Sequence, residues 1–430
     1  MRRGRGGLCS LNRFLFSQAT GRAALLLCCL ALAAAPVWAA RKAHKGEKPQ
    51  RPAAAPRPAV RDGEAEARLI EIYKLIGQAK TRDALAKAEV LVREHPNFQL
   101  AQLVYGDLLT AQAHPVKAFG DVPDSAAKTG GQMLSELREE SQLRIRALRE
   151  RPPAGAIPAQ FLQLSPKNKH AIAIDTSRAR LYLFENGPQG LKLLADYYIS
   201  VGKLGIEKSV EGDLRTPLGV YFVTSNLDPK SLKDFYGAGA LPINYPNPYD
   251  ARRGKTGSGI WLHGTPPNQF SRAPKATDGC VVLANPDLQR IIQTVEVRTT
   301  PVVIAPNLKW VAPQTVEPES HRFAEVLQAW RQAKGSGDIG RMLSFYTPDF
   351  SLAGKTLAEW TPVLKVELDR ARGREVQLKD VSYLRWTDSA DTMVVTFGEV
   401  VEGARTGQVK RQYWVRQGPH WKIFFEGVIG

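Results

Sequence analysis

The hydrophobic period changes twice along this 430-residue chain, and a chain whose period changes folds as successive units rather than as one repeating layer. From Glu64 the apolar residues fall at helical spacing: Leu69, Ile72, Tyr73 and Ile76, then Leu85, Ala88, Leu91 and Val92, until "HPNF" breaks the run and "QLAQLVYGDLLTAQA" resumes it. A further charged helix is expected over 131–151, ended by Pro152 and Pro153, because proline lacks the amide a helix needs. From about Ile157 to Pro306 the apolar runs become short and alternating or continuous, as in "HAIAIDTSRARLYLFENG", "LKLLADYYISVG", "TPLGVYFVTS", "GIWLHG", "GCVVL" and "TPVVIA". The turn signal Asn186-Gly187 joins the first two in a hairpin. A helix is expected over 285–294, where "NPDLQRIIQT" has proline near its start. After Pro313 to Pro318 a helix over 320–334 precedes strands near 376–386, 392–400, 408–416 and 421–425, an α+β order.

Charge and cysteine usage bound where the chain works. Of its 59 Lys and Arg and 42 Asp and Glu, twelve bases and one acid precede Asp62, so that stretch carries +11 of the formal +17. The excess is therefore a leader and a tail, and it gives no nucleic-acid surface, since the tail lacks interleaved aromatics. Arg2, Arg3, Arg5, Arg13 and Arg22, the apolar run from Ala23 to Ala35 and Val37-Trp38-Ala39 read as an export signal, with cleavage expected after Ala39. The alternative is an uncleaved inner-membrane anchor. Either way the remainder lies outside the cytoplasm. The expected organisation is a signal peptide (1–39), a basic Pro/Ala-rich tether (40–62), a small α-helical unit (63–153), a mainly-β domain with a β-sandwich-like or barrel-like sheet (157–309) and an α+β domain (318–430).

Cys9, Cys28 and Cys29 fall inside the leader, so the exported chain keeps Cys280 alone. An unpaired thiol in an oxidising compartment is either a buried small hydrophobe or a nucleophile. A nucleophilic cysteine needs a base, a group that orients the base, and N–H donors aimed at the developing oxyanion. The stretch "WLHGTPPNQFSRAPKATDGCVVL" offers all three. His263 closes a strand as the candidate base, Gly264 offers its carbonyl to the other ring nitrogen, and Gly279 permits a tight turn that aims the Gly279 and Cys280 amides at one oxygen. On chemistry alone, a histidine at a strand end is more often a satisfied surface or core residue than a base. The other histidines compete weakly: His44 is in the tether, His95 and His114 precede prolines, His170 begins a strand, and His321 and His420 belong to the last domain. No second cysteine or close histidine gives ligand spacing, so neither metal nor cofactor is expected.

"HGTPPNQFSRAPKATDGCVVL" resembles the signature of the L,D-transpeptidase (YkuD-type) catalytic domain, in which a histidine precedes Ser/Thr-His-Gly-Cys by some fourteen to seventeen residues. Upstream, "VGKLGIEKSVEGDLRTPLGVYFV" and "INYPNPYD" with "GSGIWLHG" resemble that family's other segments, in its order. The helix with Trp330, the "SFYTPDF" turn and the closing "HWKIFFEG" are similar to the NTF2-like or SnoaL-like family, and the first helices resemble a tetratricopeptide-like pair.

The resemblance implies a periplasmic enzyme of peptidoglycan biosynthesis, cell-wall organisation and cell shape. Cys280 would attack the carbonyl between the diamino acid and the terminal D-alanine of a tetrapeptide stem, releasing D-alanine and leaving a thioester. His263 would take the thiol proton and later activate the acceptor, oriented by Gly264, with Gly279 as oxyanion amide. The acceptor is a second stem, a lipoprotein lysine, a free D-amino acid or water. Peptidoglycan stem peptides, an envelope lipoprotein and a protein bound by a flanking unit are the partners implied. Tyr245, Tyr249, Arg252, Arg253, Thr277 and Asp278 are the candidate substrate-binding residues, the first four lying in an irregular lid-like segment over 226–258. Two departures stand out: Asp278 replaces the signature histidine, and Val282 replaces an Arg or Asn. A carboxylate facing Cys280 would raise its pKa, so Asp278 is expected to turn away and hydrogen-bond backbone. Val282 keeps open an amidase that detaches lipoprotein, and Asp278 keeps open an inactive wall-binding scaffold.

Overall fold

The structure is a computed structural model and describes residues 63–429, apart from the side chains of Asp124, Ala126 and Ala127. The expected leader and tether lie outside the described residues. Among the described residues no helix is long and apolar enough to cross a membrane.

Four helices come first: α1 (Glu64–Gly77), α2 (Thr81–Glu94), α3 (Gln99–Ala113) and α4 (Asp124–Arg149). The fourth starts before the expected 131 because it continues across a non-helical residue, Gly130 (φ −114°, ψ 15°), where a glycine pair admits a bend. The apolar stripes of α1 to α3 meet around Leu69, Ile72, Leu91, Phe98 and Val104. The likeness to a tetratricopeptide pair is not shown by these helices, whose core is closed by Phe270 and Ala284 of the next domain rather than by a stacked repeat.

A buried ionic cluster ties this unit to the β-domain. Glu66 pairs with Arg180 at 2.7 Å and with Arg144 at 2.8 Å, Arg144 also holds Glu140 at 2.7 Å, and Arg180 also holds Asp196. The Arg144 guanidinium stands 4.0 Å over the Tyr198 ring. Both arginines keep Glu66 below its ordinary pKa against the opposing effect of burial.

The β-domain is built on five strands in the spatial order Gly190–Tyr198, Arg180–Gly187, His170–Asp175, Pro301–Ala305, Gly219–Phe222. Only the central pair is parallel, Val302 lying opposite Ile172. Alternation assigns Ile172, Ile174, Leu181 and Leu183 to one face and Ala171, Ala173, Tyr182 and Phe184 to the other, and both faces are buried. Two-sided burial explains why "HAIAID" and "VYF" read as continuous apolar runs. The first face packs on a smaller sheet, Val281–Val282, Trp261–His263, Ala240–Pro242, and on the helix Asn285–Thr294, giving the expected sandwich. The hairpin turns at Pro188-Gln189, two residues past the expected Asn186-Gly187, with Gly187 opposite Gly190 at φ +89°.

The C-terminal domain wraps helices Glu317–Ser336 and Leu357–Ala371 against strands Val376–Thr387, Asp391–Val401, Gln408–Gln417 and His420–Val428. Trp330, Trp414 and Phe323 fill its interior. A fifth strand, Phe161–Gln163, pairs with Val376–Thr387 from outside the expected boundary, so that piece of the 157–309 segment belongs to the last sheet. The second face of the β-domain sheet docks on this sheet through Leu384, Trp386, Tyr413 and Phe424.

Glu66→Ala removes the carboxylate shared by two buried guanidinium groups and is expected to destabilise the protein by roughly 3–5 kcal/mol. Urea unfolding checks this, and a change under about 1 kcal/mol would show that the cluster is dispensable.

Candidate functional site

Strand pairing sets the geometry around Cys280. Val281 lies opposite Leu262 and Val282 opposite His263 in a parallel pair, which places Cys280 beside Trp261. Leu262 and Val281 point into the core, so alternation puts Trp261, His263, Cys280 and Val282 on the opposite face of the small sheet. Cys280 itself directly precedes the strand Val281–Val282.

His263 is almost fully buried, and its Nδ1 lies 2.8 Å from the Gly264 carbonyl oxygen. A carbonyl only accepts, so Nδ1 carries the hydrogen and Nε2 keeps its lone pair. Burial lowers the His263 pKa to about 4, with Arg272 adding to the effect and the Gly264 bond opposing it. The ring is enclosed by Phe235 and Tyr236, at centroid distances of 5.8 and 5.1 Å.

Cys280 is partly exposed and donates through Sγ to Gly259 O at 3.4 Å. Burial raises its pKa; the Trp261 amide, Arg272 and Lys208 oppose this, and Asp278 adds to it. Burial thus disfavours both the thiolate form of Cys280 and the imidazolium form of His263.

The turn before the cysteine is fixed from several sides. Gly279 has φ +121°, and a Cβ there would stand 2.7 Å from Arg215 O. Its N–H donates to Thr277 Oγ1 at 3.1 Å, so this amide is engaged inside the turn and not aimed at an oxyanion, contrary to the expectation for Gly279. Thr277 is buried and bonds Cys280 O at 2.7 Å, which makes it a turn residue. Thr216 donates to Gly279 O at 3.0 Å and accepts from Gly202 N at 2.9 Å, bringing the "VGK" and "RTPLG" segments onto the turn. Between them Lys208 pairs with Asp213 at 2.8 Å, and Asp213, despite its cost of burial, is lowered to about 2 by that bond and by backbone amides. Asp278, expected to hydrogen-bond backbone, pairs instead with the exposed Lys203 at 2.9 Å.

The other expected substrate residues are not at this face. Tyr245 is core, its hydroxyl bonded to Thr256 O at 3.1 Å. Tyr249 donates to Asp388 at 2.6 Å, Arg252 pairs with Asp349 at 2.7 Å, and Arg253 pairs with Asp388. The segment over 226–258 therefore serves at one end to dock the C-terminal domain, whose acids its arginines neutralise.

Three features escaped the sequence reading. Asn285, first in its helix, accepts from Ala238 N and Thr265 N at 2.9 and 3.1 Å and so fixes the chain leaving His263. The connection over 264–280 is held by the helical unit: Phe270 N donates to Asn97 O at 3.0 Å, Phe270 stacks on Phe98 at 4.2 Å, and Ser271 Oγ donates to Glu140 at 2.8 Å. Arg272 follows directly, its guanidinium 4.4 Å over Phe235. Only Phe270, a lone aromatic in a polar run, hinted at this contact.

Residues 169–304 match YkuD, the L,D-transpeptidase catalytic domain, and residues 322–427 match the Cds6 C-terminal NTF2-like domain. The chain therefore carries a YkuD-type catalytic domain followed by an NTF2-like domain. Among solved structures, Bd1075 of Bdellovibrio bacteriovorus is 26% identical, with a TM-score of 0.54 over 64% of this chain and 98% of that one. The helical cell shape determining protein Pgp2 of Campylobacter jejuni is 22% identical, with a TM-score of 0.51 over 63% and 95%. No curated protein sequence matches the chain.

Alkylation of Cys280 by iodoacetamide, followed against pH, is expected to rise with a midpoint above the free-thiol value of about 8.5. A plateau of fast alkylation from pH 5 to 8 would reveal a preformed ion pair and contradict this electrostatic description.

Proposed function

We propose that the protein is a cysteine acyltransferase of the cell envelope that acts on peptidoglycan tetrapeptide stems through a Cys280 thioester. The observation that carries this reading is the shared strand face of Cys280 and His263, with Gly264 O fixing the imidazole tautomer, inside a YkuD-type domain. Because burial disfavours both charged forms, His263 Nε2 takes the thiol proton as Sγ attacks the carbonyl carbon, giving a tetrahedral oxyanion. With the Gly279 amide engaged, the Cys280 amide is the donor left in the turn to face that oxygen. Collapse breaks the C–N bond, the proton passes from His263 to the departing D-alanine amine, and the thioester remains. The acceptor then gives its proton to the same nitrogen as it attacks.

An amine acceptor makes the enzyme a transpeptidase that forms 3–3 cross-links or attaches lipoprotein. A second reading, with water as acceptor, is favoured by Val282, which lines the same face, is buried, and offers an incoming amine or its carboxylate no polar contact. A lipoprotein-releasing amidase is one form of it. An inactive wall-binding scaffold is the remaining reading, for which Asp278, paired with Lys203, stands in place of the signature histidine. A place in cell-shape control is part of the proposal, supported by the architecture shared with the Campylobacter protein.

Incubated with defined tetrapeptide muropeptides, the wild type is expected to release D-alanine, and Cys280→Ala to lose more than about a thousandfold of that rate. Equal release by the variant would overturn the proposal. Mass spectrometry of the products assigns the acceptor: dimers or lipoprotein adducts mean amine transfer, and tripeptide monomers mean hydrolysis.

A further inference from the structure

Arg272 is the charged residue near Cys280 that the chemistry above leaves without a task, and its surroundings are those of a cation awaiting a partner. Its root is fixed on both sides: Ser271 is bonded to Glu140, the Tyr198 hydroxyl donates to Arg272 O at 2.9 Å, and Val201 N donates to Pro274 O at 2.9 Å. One face of the guanidinium lies on the Phe235 ring, which in turn lies 5.8 Å from the His263 ring. Cation, aromatic ring and imidazole thus stand in a row along the site.

One nitrogen of the guanidinium is left without a hydrogen bond. Arg272 Nε is buried and has no hydrogen-bond partner, and among the described residues Arg272 makes no ion pair. The acid nearest in the chain, Asp278, is held instead by Lys203. A partly desolvated guanidinium with an unmade hydrogen bond is unfavourable on its own and becomes favourable when a carboxylate docks on it, since the planar fork matches two carboxylate oxygens.

We propose that Arg272 binds a carboxylate of the donor peptide beside the scissile carbonyl and so makes the enzyme selective for acidic donors. This rests on the reading of Cys280 as nucleophile toward a stem peptide. The two carboxylates of a tetrapeptide stem nearest that carbonyl through bonds are the terminal one on D-alanine and the one on the side chain of the diamino acid. Arg252 and Arg253 take no part, being committed to Asp349 and Asp388.

The test compares three donors, the free tetrapeptide, its terminal amide and the peptide amidated on the diamino acid side chain. Arg272→Met keeps the length of the stem and its packing on Phe235 while removing the charge. It is expected to lower kcat/KM for the free tetrapeptide by about 10- to 100-fold, mainly through KM, and to change one amide by less than about threefold. The amide that loses sensitivity names the carboxylate. Arg272→Lys is expected to restore part of the loss, because the charge returns without the fork. Equal losses on all three donors, accompanied by a shifted Cys280 alkylation profile, would mean that Arg272 acts on the thiolate, and the proposal would fall.

A binding arm keeps this proposal separate from the reaction it rests on. Calorimetric titration of Cys280→Ala with the free tetrapeptide and the amides is expected to show at least tenfold weaker binding of one amide, a difference abolished by adding Arg272→Met. No turnover by the wild type together with this discrimination would sink the proposed reaction and leave carboxylate binding in place. Turnover without discrimination would do the reverse.

Discussion

The parallel pairing of Trp261–His263 with Val281–Val282 is the constraint on which the site depends. Adjacent parallel strands cannot be joined by a tight turn, so the chain must leave His263, travel and come back in register before Cys280. In most folds a helix makes that crossover; here the intervening residues hold only the three-residue strand Lys275–Thr277. A connection with so little structure of its own has to be fixed from outside. Asn97, Phe98 and Glu140 of the helical unit do so on one side, and Asn285, Tyr198 and Thr216 on the other. The helical unit is therefore part of the support of the candidate site, and the ionic cluster around Glu66 is what joins it to the sheet below.

The C-terminal domain follows a similar logic from the opposite side. Its sheet covers the face of the five-stranded sheet that the sandwich leaves open, and it borrows Phe161–Gln163 as an edge strand. The arginines at the end of the 226–258 segment reach across to its acids, and Arg252 also lies 4.7 Å over Phe424. A shared apolar core of this kind resists independent motion, so whatever the NTF2-like domain engages is held in a fixed direction relative to Cys280.

Much of this was legible in the sequence because it is local. The strands of the last domain, the helix at Asn285–Thr294 and the bond from His263 to Gly264 follow from period, from proline placement and from a glycine next to a strand end. The pairing of Lys208 with Asp213, by contrast, explains a motif that the sequence could only match. What sequence reading missed is long-range. Nothing near Arg252 or Arg253 announces that their partners lie about a hundred residues on, and a tyrosine–arginine-rich irregular segment reads as a lid until the domain it docks is in place. Gly279 was placed correctly as a turn residue and misjudged as a donor, because the hydroxyl that occupies its amide belongs to Thr277, two positions earlier.

The claim that Cys280 carries the acyl group is tested most directly by intact-mass spectrometry of protein quenched in acid within its first turnovers on a tetrapeptide stem. The expected result is wild-type protein heavier by the acyl tripeptide-stem fragment, with the adduct mapped to Cys280 and absent from Cys280→Ala. Release of D-alanine with Cys280 unmodified throughout, or an adduct on another residue, would contradict the account.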